Sequence, residues 1–101
     1  MAARISLKVP TTGKKSRNYL GPVLRKLREE RGLTQAQVTA HLQRSGWDIS
    51  RQVFSFIEDG SRILSDIELL AILRVLDYKL SDLQSAFEQF CGSFGKRGGL
   101  K

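Results

Sequence analysis

Apolar residues return at intervals of three and four through most of this chain, which is the period of helices that bury one side. In "GPVLRKLREERG" they are Val23, Leu24 and Leu27. Gly21 and Pro22 suit the N-cap and first helical positions there, and Gly32 suits a stop, so a helix is predicted over 21–31. Three later segments open with the reciprocal pattern of a capping box: Thr34-x-x-Gln37, Ser65-x-x-Glu68 and Ser81-x-x-Gln84. Between them, "ISRQVFSFIEDG" has Ser50 as a cap and Gly60 as a stop. Leu33 with Val38, Ile49 with Phe54, and Leu64 with Leu69 are placed to staple three of these starts. Helices are therefore predicted at 34–45, 50–59, 65–76 and 81–90. Strand-like alternation is absent from this pattern, and so is an internal repeat. The fold class is all-α, a compact bundle of five short helices occupying residues 19–90. Residues 1–18, with Pro10, Gly13 and the polar run "TTGKKSRN", read as a flexible basic arm, and 91–101 as a short flexible basic tail.

Composition narrows this further. A chain of 101 residues with 41% apolar content has room for one small domain. No apolar run approaches the roughly 18 residues of a membrane span, and no secretory signal is evident. A single cysteine, Cys91, permits neither an internal disulfide nor a cysteine-based zinc site, so a reducing, cytoplasmic setting is expected. The net charge of +7 is unevenly spread. Nine Lys/Arg face two acids over 1–31, five face eight over 32–90, and three face none from 91 onward. A basic arm on a slightly acidic domain points to a polyanionic partner, and equally to a solubilising terminus.

The segment at 50–59 separates two kinds of side chain. Val53, Phe54 and Ile57 share one face by i+3 and i+4 spacing. Gln52, Ser55, Phe56 and Asp59 share the other, and Arg51 projects from the first turn. A short amphipathic helix following a capped helix across a turn has the organisation of a helix-turn-helix. A merely solvated face is the alternative for Arg51 and Gln52.

The run "LRKLREERGLTQAQV…ISRQVFSFIEDGSR…LLAILRVLDYKLSDL" resembles the lambda-repressor-like, Cro-type helix-turn-helix regulators (the XRE family) over about residues 20–84. "RxxRGLTQ" at Arg28–Gln35 and "IEDGSR" at Ile57–Arg62 carry most of the likeness. Two departures are visible. "QRSGWD" lengthens the connection before the third helix, which leaves Trp47 to close the core or cover a longer loop. Thr39 stands where relatives place a small residue, with Ala40 beside it. The resemblance implies that the third helix enters the major groove of double-stranded DNA with its first turn toward base edges. Arg51 is then suited to guanine O6 and N7, Gln52 to adenine N6 and N7, and Ser55 to either kind of base. Phe56 is suited to a thymine methyl or to packing on the Trp47 loop. Phosphate contacts are expected from Gln35 and Ser50 at helix starts, from Arg62, and from Lys14, Lys15 and Arg17 in the arm. The resemblance also pairs Arg28 with Glu58 as a shielded, structural ion pair. It implies a homodimer on a palindromic site.

Residues that look chemical do not assemble into a catalyst. His41 has no neighbouring ligand at metal spacing, Cys91 has no activating histidine, and Asp48, Glu58 and Asp59 form no acid–base couple. No enzyme activity, metal or cofactor is expected. Leu83, Phe87, Phe90 and Phe94 step by four, three and four; the first two suit the core, and the last two an exposed surface for association. The expected function is a sequence-specific DNA-binding regulator of transcription, a repressor without its own sensor domain. The alternative is an antitoxin-like protein that holds a partner protein and autoregulates by binding DNA.

Overall fold

The computed structural model describes residues 16–91. The expected arm residues Lys14 and Lys15, and Phe94 in the tail, lie outside the described residues. Five helices follow one another: α1 (Gly21–Glu30), α2 (Gln35–Arg44), α3 (Arg51–Glu58), α4 (Asp66–Leu76) and α5 (Leu80–Cys91). No strand occurs among the described residues. The all-α bundle expected from the apolar period is the fold observed.

Two of the three boxes form in full. Thr34 Oγ1 accepts from the Gln37 N–H while the Gln37 side chain accepts from the Thr34 N–H, and Ser65 and Glu68 do the same. Ser50 Oγ accepts from the Val53 N–H at 3.1 Å, capping α3. Such a cap is worth about 1 kcal/mol. The Ser81 box does not form. α5 opens one residue earlier than expected, and Asp82 Oδ2 accepts from the Lys79 N–H at 2.8 Å. Asp82 stands three residues after Lys79 and offers a charged acceptor, which binds an N–H more strongly than a Gln amide does. The start of α1 shifts in the same direction. Leu20 occupies the cap position and Gly21 is the first helical residue. Gly21 is required by packing: a Cβ there would lie 1.8 Å from the Ile57 carbonyl oxygen, so α1 starts hard against the end of α3.

The core draws on every helix: Val23, Leu24 and Leu27 from α1, Val38 and Leu42 from α2, Phe54 and Ile57 from α3, Ile72, Leu73 and Leu76 from α4, and Leu83 and Phe87 from α5. α1 packs on α3, α4 and α5, and α2 packs on α3 and α4. Thr39 is buried, and its hydroxyl donates to the Gln35 and Ala36 carbonyls, so the close packing falls at Thr39 itself. α2 and α3 are joined by Ser45–Ser50. Gly46 takes φ +105°, and the Gln43 side chain donates to the Ile49 carbonyl at 2.7 Å. This turn carries Trp47 half-buried against the core, the closing role expected of it.

The end of α4 is held by a residue that the charge count assigns to nothing in particular. Arg31 donates to the Leu76 and Asp77 carbonyls at 2.9 and 2.7 Å, and its guanidinium lies 4.0 Å from the Tyr78 ring centroid. Carbonyls at a helix end otherwise lack intrahelical partners, and Asp77 closes the helix in the left-handed conformation at φ +62°.

Candidate nucleic-acid interface

α3 is eight residues long, and burial divides it sharply. Phe54, Ile57 and Glu58 are buried and Val53 is half-buried; Arg51 and Gln52 are exposed, and Ser55 is half-buried. The apolar side is held by α1 and α2, so the first-turn polar side chains face solvent. The structure thus brings Arg51 and Gln52 together at the helix N-terminus. Phe56 is 41% exposed and stands outside the core cluster. Packing does not explain it.

Beside this face an open groove of about 690 Å³ separates the start of α2 from the first turn of α3. Arg25, Thr34, Gln35, Arg51 and Ser55 line it. Two positive features border it, the Arg25 and Arg51 guanidiniums and the start of α2, where the helix dipole is positive. Arg25 was not among the residues singled out from the sequence. Its i,i+4 pairing with Glu29, at 3.3 Å, leaves it exposed.

Gln35, expected to meet phosphate, has an internal partner. Its Nε2 donates to Glu58 Oε1 at 2.8 Å, so the side chain ties α2 to a buried carboxylate. That carboxylate belongs to the pair expected between α1 and α3. Arg28 Nε donates to Glu58 Oε2 and Nη2 to Oε1, and Nη1 donates to the Leu33 carbonyl at 2.7 Å. Ser50, as a cap, accepts through Oγ and keeps its own O–H for another acceptor.

Arg62 also has an internal partner. It meets Glu68 in a forked pair at 3.2 and 3.3 Å, and Nη1 donates to the Ile63 carbonyl. Burial pushes the Glu68 carboxyl up. Arg62 and the Ser65 N–H outweigh that effect and hold it below its ordinary value. Arg17 is exposed and lines an open depression of about 510 Å³ with Arg62, Ser61 and Glu68. Residues 16–18, assigned from sequence to the arm, are hydrogen-bonded to the body here. Arg17 and Asn18 donate backbone N–H groups to the Gly60 carbonyl. Asn18 Nδ2 donates to the Ile57 and Arg62 carbonyls, and its Oδ1 accepts from the Gly21 N–H. Asn18 therefore joins the start of α1 to the end of α3, a role nothing local in the sequence signals.

Phe90 departs from expectation. It is half-buried against the core, with Lys26 Nζ 5.3 Å from its ring centroid, and so does not form an exposed surface. His41 is exposed and lies 3.2 Å from an Arg44 nitrogen. No described helix is long and apolar enough to cross a membrane.

The sequence model of a family described as a helix-turn-helix domain matches residues 20–85. Among solved structures, the chain is similar to the crystal structure of the clp gene regulator ClgR from C. glutamicum. The TM-score is 0.65 at 20% identity, covering 86% of this chain and 100% of that one. At that identity the likeness is one of fold. No curated protein sequence matches the chain.

Proposed function

The chain belongs to the helix-turn-helix family of DNA-binding transcriptional regulators, and we propose that it reads base edges in the major groove with the first turn of α3. The observation that carries this reading is the exposed pair Arg51 and Gln52 on a helix whose opposite face is buried. A helix seated only for packing has no need of two adjacent side chains able to form paired hydrogen bonds there, whereas base recognition uses these residue types. Ser55 and Phe56 complete the reading face, Phe56 through a thymine methyl.

Phosphates are held on either side of that face. The backbone N–H groups beginning α2, the Ser50 hydroxyl, Arg25 and Arg17 supply the contacts, and Arg62 joins them by exchanging Glu68 for a phosphate. Residues 1–15 act as a basic arm ahead of the anchored stretch 16–18, Lys14 and Lys15 included, adding affinity without selecting sequence, and residues 91–101 act as a basic tail. The protein represses by occluding promoter DNA, as a homodimer on a palindromic site in the cytoplasm, and it performs no catalysis. Selection of bound sites from a random duplex pool tests this reading. Recovery of one preferred motif in two inverted copies is the expected outcome, and recovery of no motif refutes it.

A further inference from the structure

α4 has a second apolar side, turned away from the core. Ile67 is 73% exposed and Leu70 50%, and Ile63, in the turn before the helix, is 65% exposed. The step of three places Ile67 and Leu70 on one side of α4, with Ile63 just before the helix start. Across an open groove of about 730 Å³ stands half-buried Trp47, with Ala71 and Arg74 completing the walls. α4 already fills its share of the core with Ile72, Leu73 and Leu76, so its own packing gives no reason for a second apolar side. A contiguous exposed patch of this kind marks an association surface.

The charges beside the stripe identify what covers it. Asp66 stands four residues before Leu70 and Arg74 four residues after it, and both are exposed. Asp66 opens the helix and Arg74 is the basic residue of its last turn, with no partner for its guanidinium among the described residues. Asp66 and Arg74 lie about 12 Å apart along the axis. A two-fold axis beside Leu70, with α4 antiparallel to its copy, therefore sets each Asp66 toward the other chain's Arg74. The same operation lays the positive end of each helix dipole beside the negative end of the other. Such self-complementarity is what an isologous interface requires.

We propose that this face of α4 is the docking surface for a second copy of the chain, centred on Leu70 and flanked by Trp47. The inference rests on the dimer reading above and adds the surface that forms it. It also ties pairing to recognition, because Trp47 lies in the short turn leading directly into α3.

Sedimentation equilibrium on the full chain, free and on a duplex with two half-sites from the selection, tests the proposal. Leu70→Glu is expected to weaken self-association about tenfold or more, equivalent to about 1.4 kcal/mol, with unchanged helical circular dichroism. Asp66→Arg or Arg74→Asp alone weakens it, and the two together restore it, which a non-specifically sticky surface does not reproduce. Binding of Leu70→Glu to a single half-site, measured in parallel, isolates the DNA reading. Retained half-site binding with lost pairing supports the interface. Failure of wild type and variant alike on every duplex refutes DNA recognition while the free-chain result still judges the interface. A chain that is monomeric both free and on the duplex, a Leu70→Glu variant that pairs like wild type, or a double swap without recovery overturns the proposal.

Discussion

Arg28 and Glu58, thirty residues apart in sequence, meet through two parallel hydrogen bonds of 2.7 and 3.1 Å, with their side chains 10% and 2% exposed. The pair joins the last turn of α1 to the last residue of α3. Gln35 adds a third bond to the same carboxylate from the start of α2. The two helices that set the attitude of α3 therefore converge on one buried charge at its end. Forked guanidinium–carboxylate geometry limits rotation as well as separation. Arg51 and Gln52 thus stand on a helix whose far end is fixed.

Removing half of that arrangement should be costly. Glu58→Ala leaves the Arg28 guanidinium buried without its counter-charge, and Gln35 without its acceptor. The expected loss is about 3–5 kcal/mol, against 0–1 kcal/mol for an exposed pair. Chemical denaturation of the variant measures it, and a loss below about 1 kcal/mol contradicts the structural role.

Arg62 and Glu68 form a more exposed pair, and pH should reveal it. The Glu68 carboxyl is held below its ordinary value in the fold. As pH falls, the unfolded chain takes up the proton first, at about 4.3, and the folded chain later. The contribution of Glu68 is thus full above that range and is lost as pH drops through the folded value. Glu68→Gln keeps an acceptor for the Ser65 N–H while removing the charge. It should cost about 0.2–1 kcal/mol at neutral pH and flatten the acid limb of stability against pH. An acid limb identical to wild type refutes the assignment.

The arm makes a separate electrostatic prediction. Log affinity for duplex DNA should fall linearly with log salt, by about 0.9 per phosphate neutralised. Deleting residues 1–15, which spares the anchored stretch from Ser16, removes Arg4, Lys8, Lys14 and Lys15. The slope should flatten while the preferred motif persists. A slope unchanged by the deletion means that these residues do not meet DNA.

The fold was legible because its signals are local. Thr34, Ser50 and Ser65 announce three helix starts within four residues each, and the apolar period gives the buried faces directly. What was not legible depends on contacts between elements. Gln35 resembles a free ligand until Glu58 arrives from 23 residues away, and Arg62 until Glu68 curls back from α4. Asn18 looks like part of a polar arm, yet its side chain bridges to backbone 39 and 44 residues on. Ser81 was misread for a local reason, since Asp82 competes for the same helix start. The outward side of α3 was readable in position. Its role rests on DNA chemistry, which folding contacts do not encode.

That role gives the sharpest prediction. If Arg51 and Gln52 read bases, alanine at either should cost about 1–3 kcal/mol on the preferred site and relax preference at one or two base pairs. Both side chains are exposed, so unfolding free energy should barely move. Affinity for unrelated duplexes should fall much less, because it rests on phosphates. Phe56→Ala separates the two roles open to that ring. With 41% of its surface exposed and no place in the core cluster, its truncation should spare stability and weaken discrimination at a thymine. Quantitative binding to the selected motif and to each single-base variant decides the matter. An equal loss on every sequence for Arg51→Ala and Gln52→Ala assigns this face to phosphate, and base reading must then lie elsewhere.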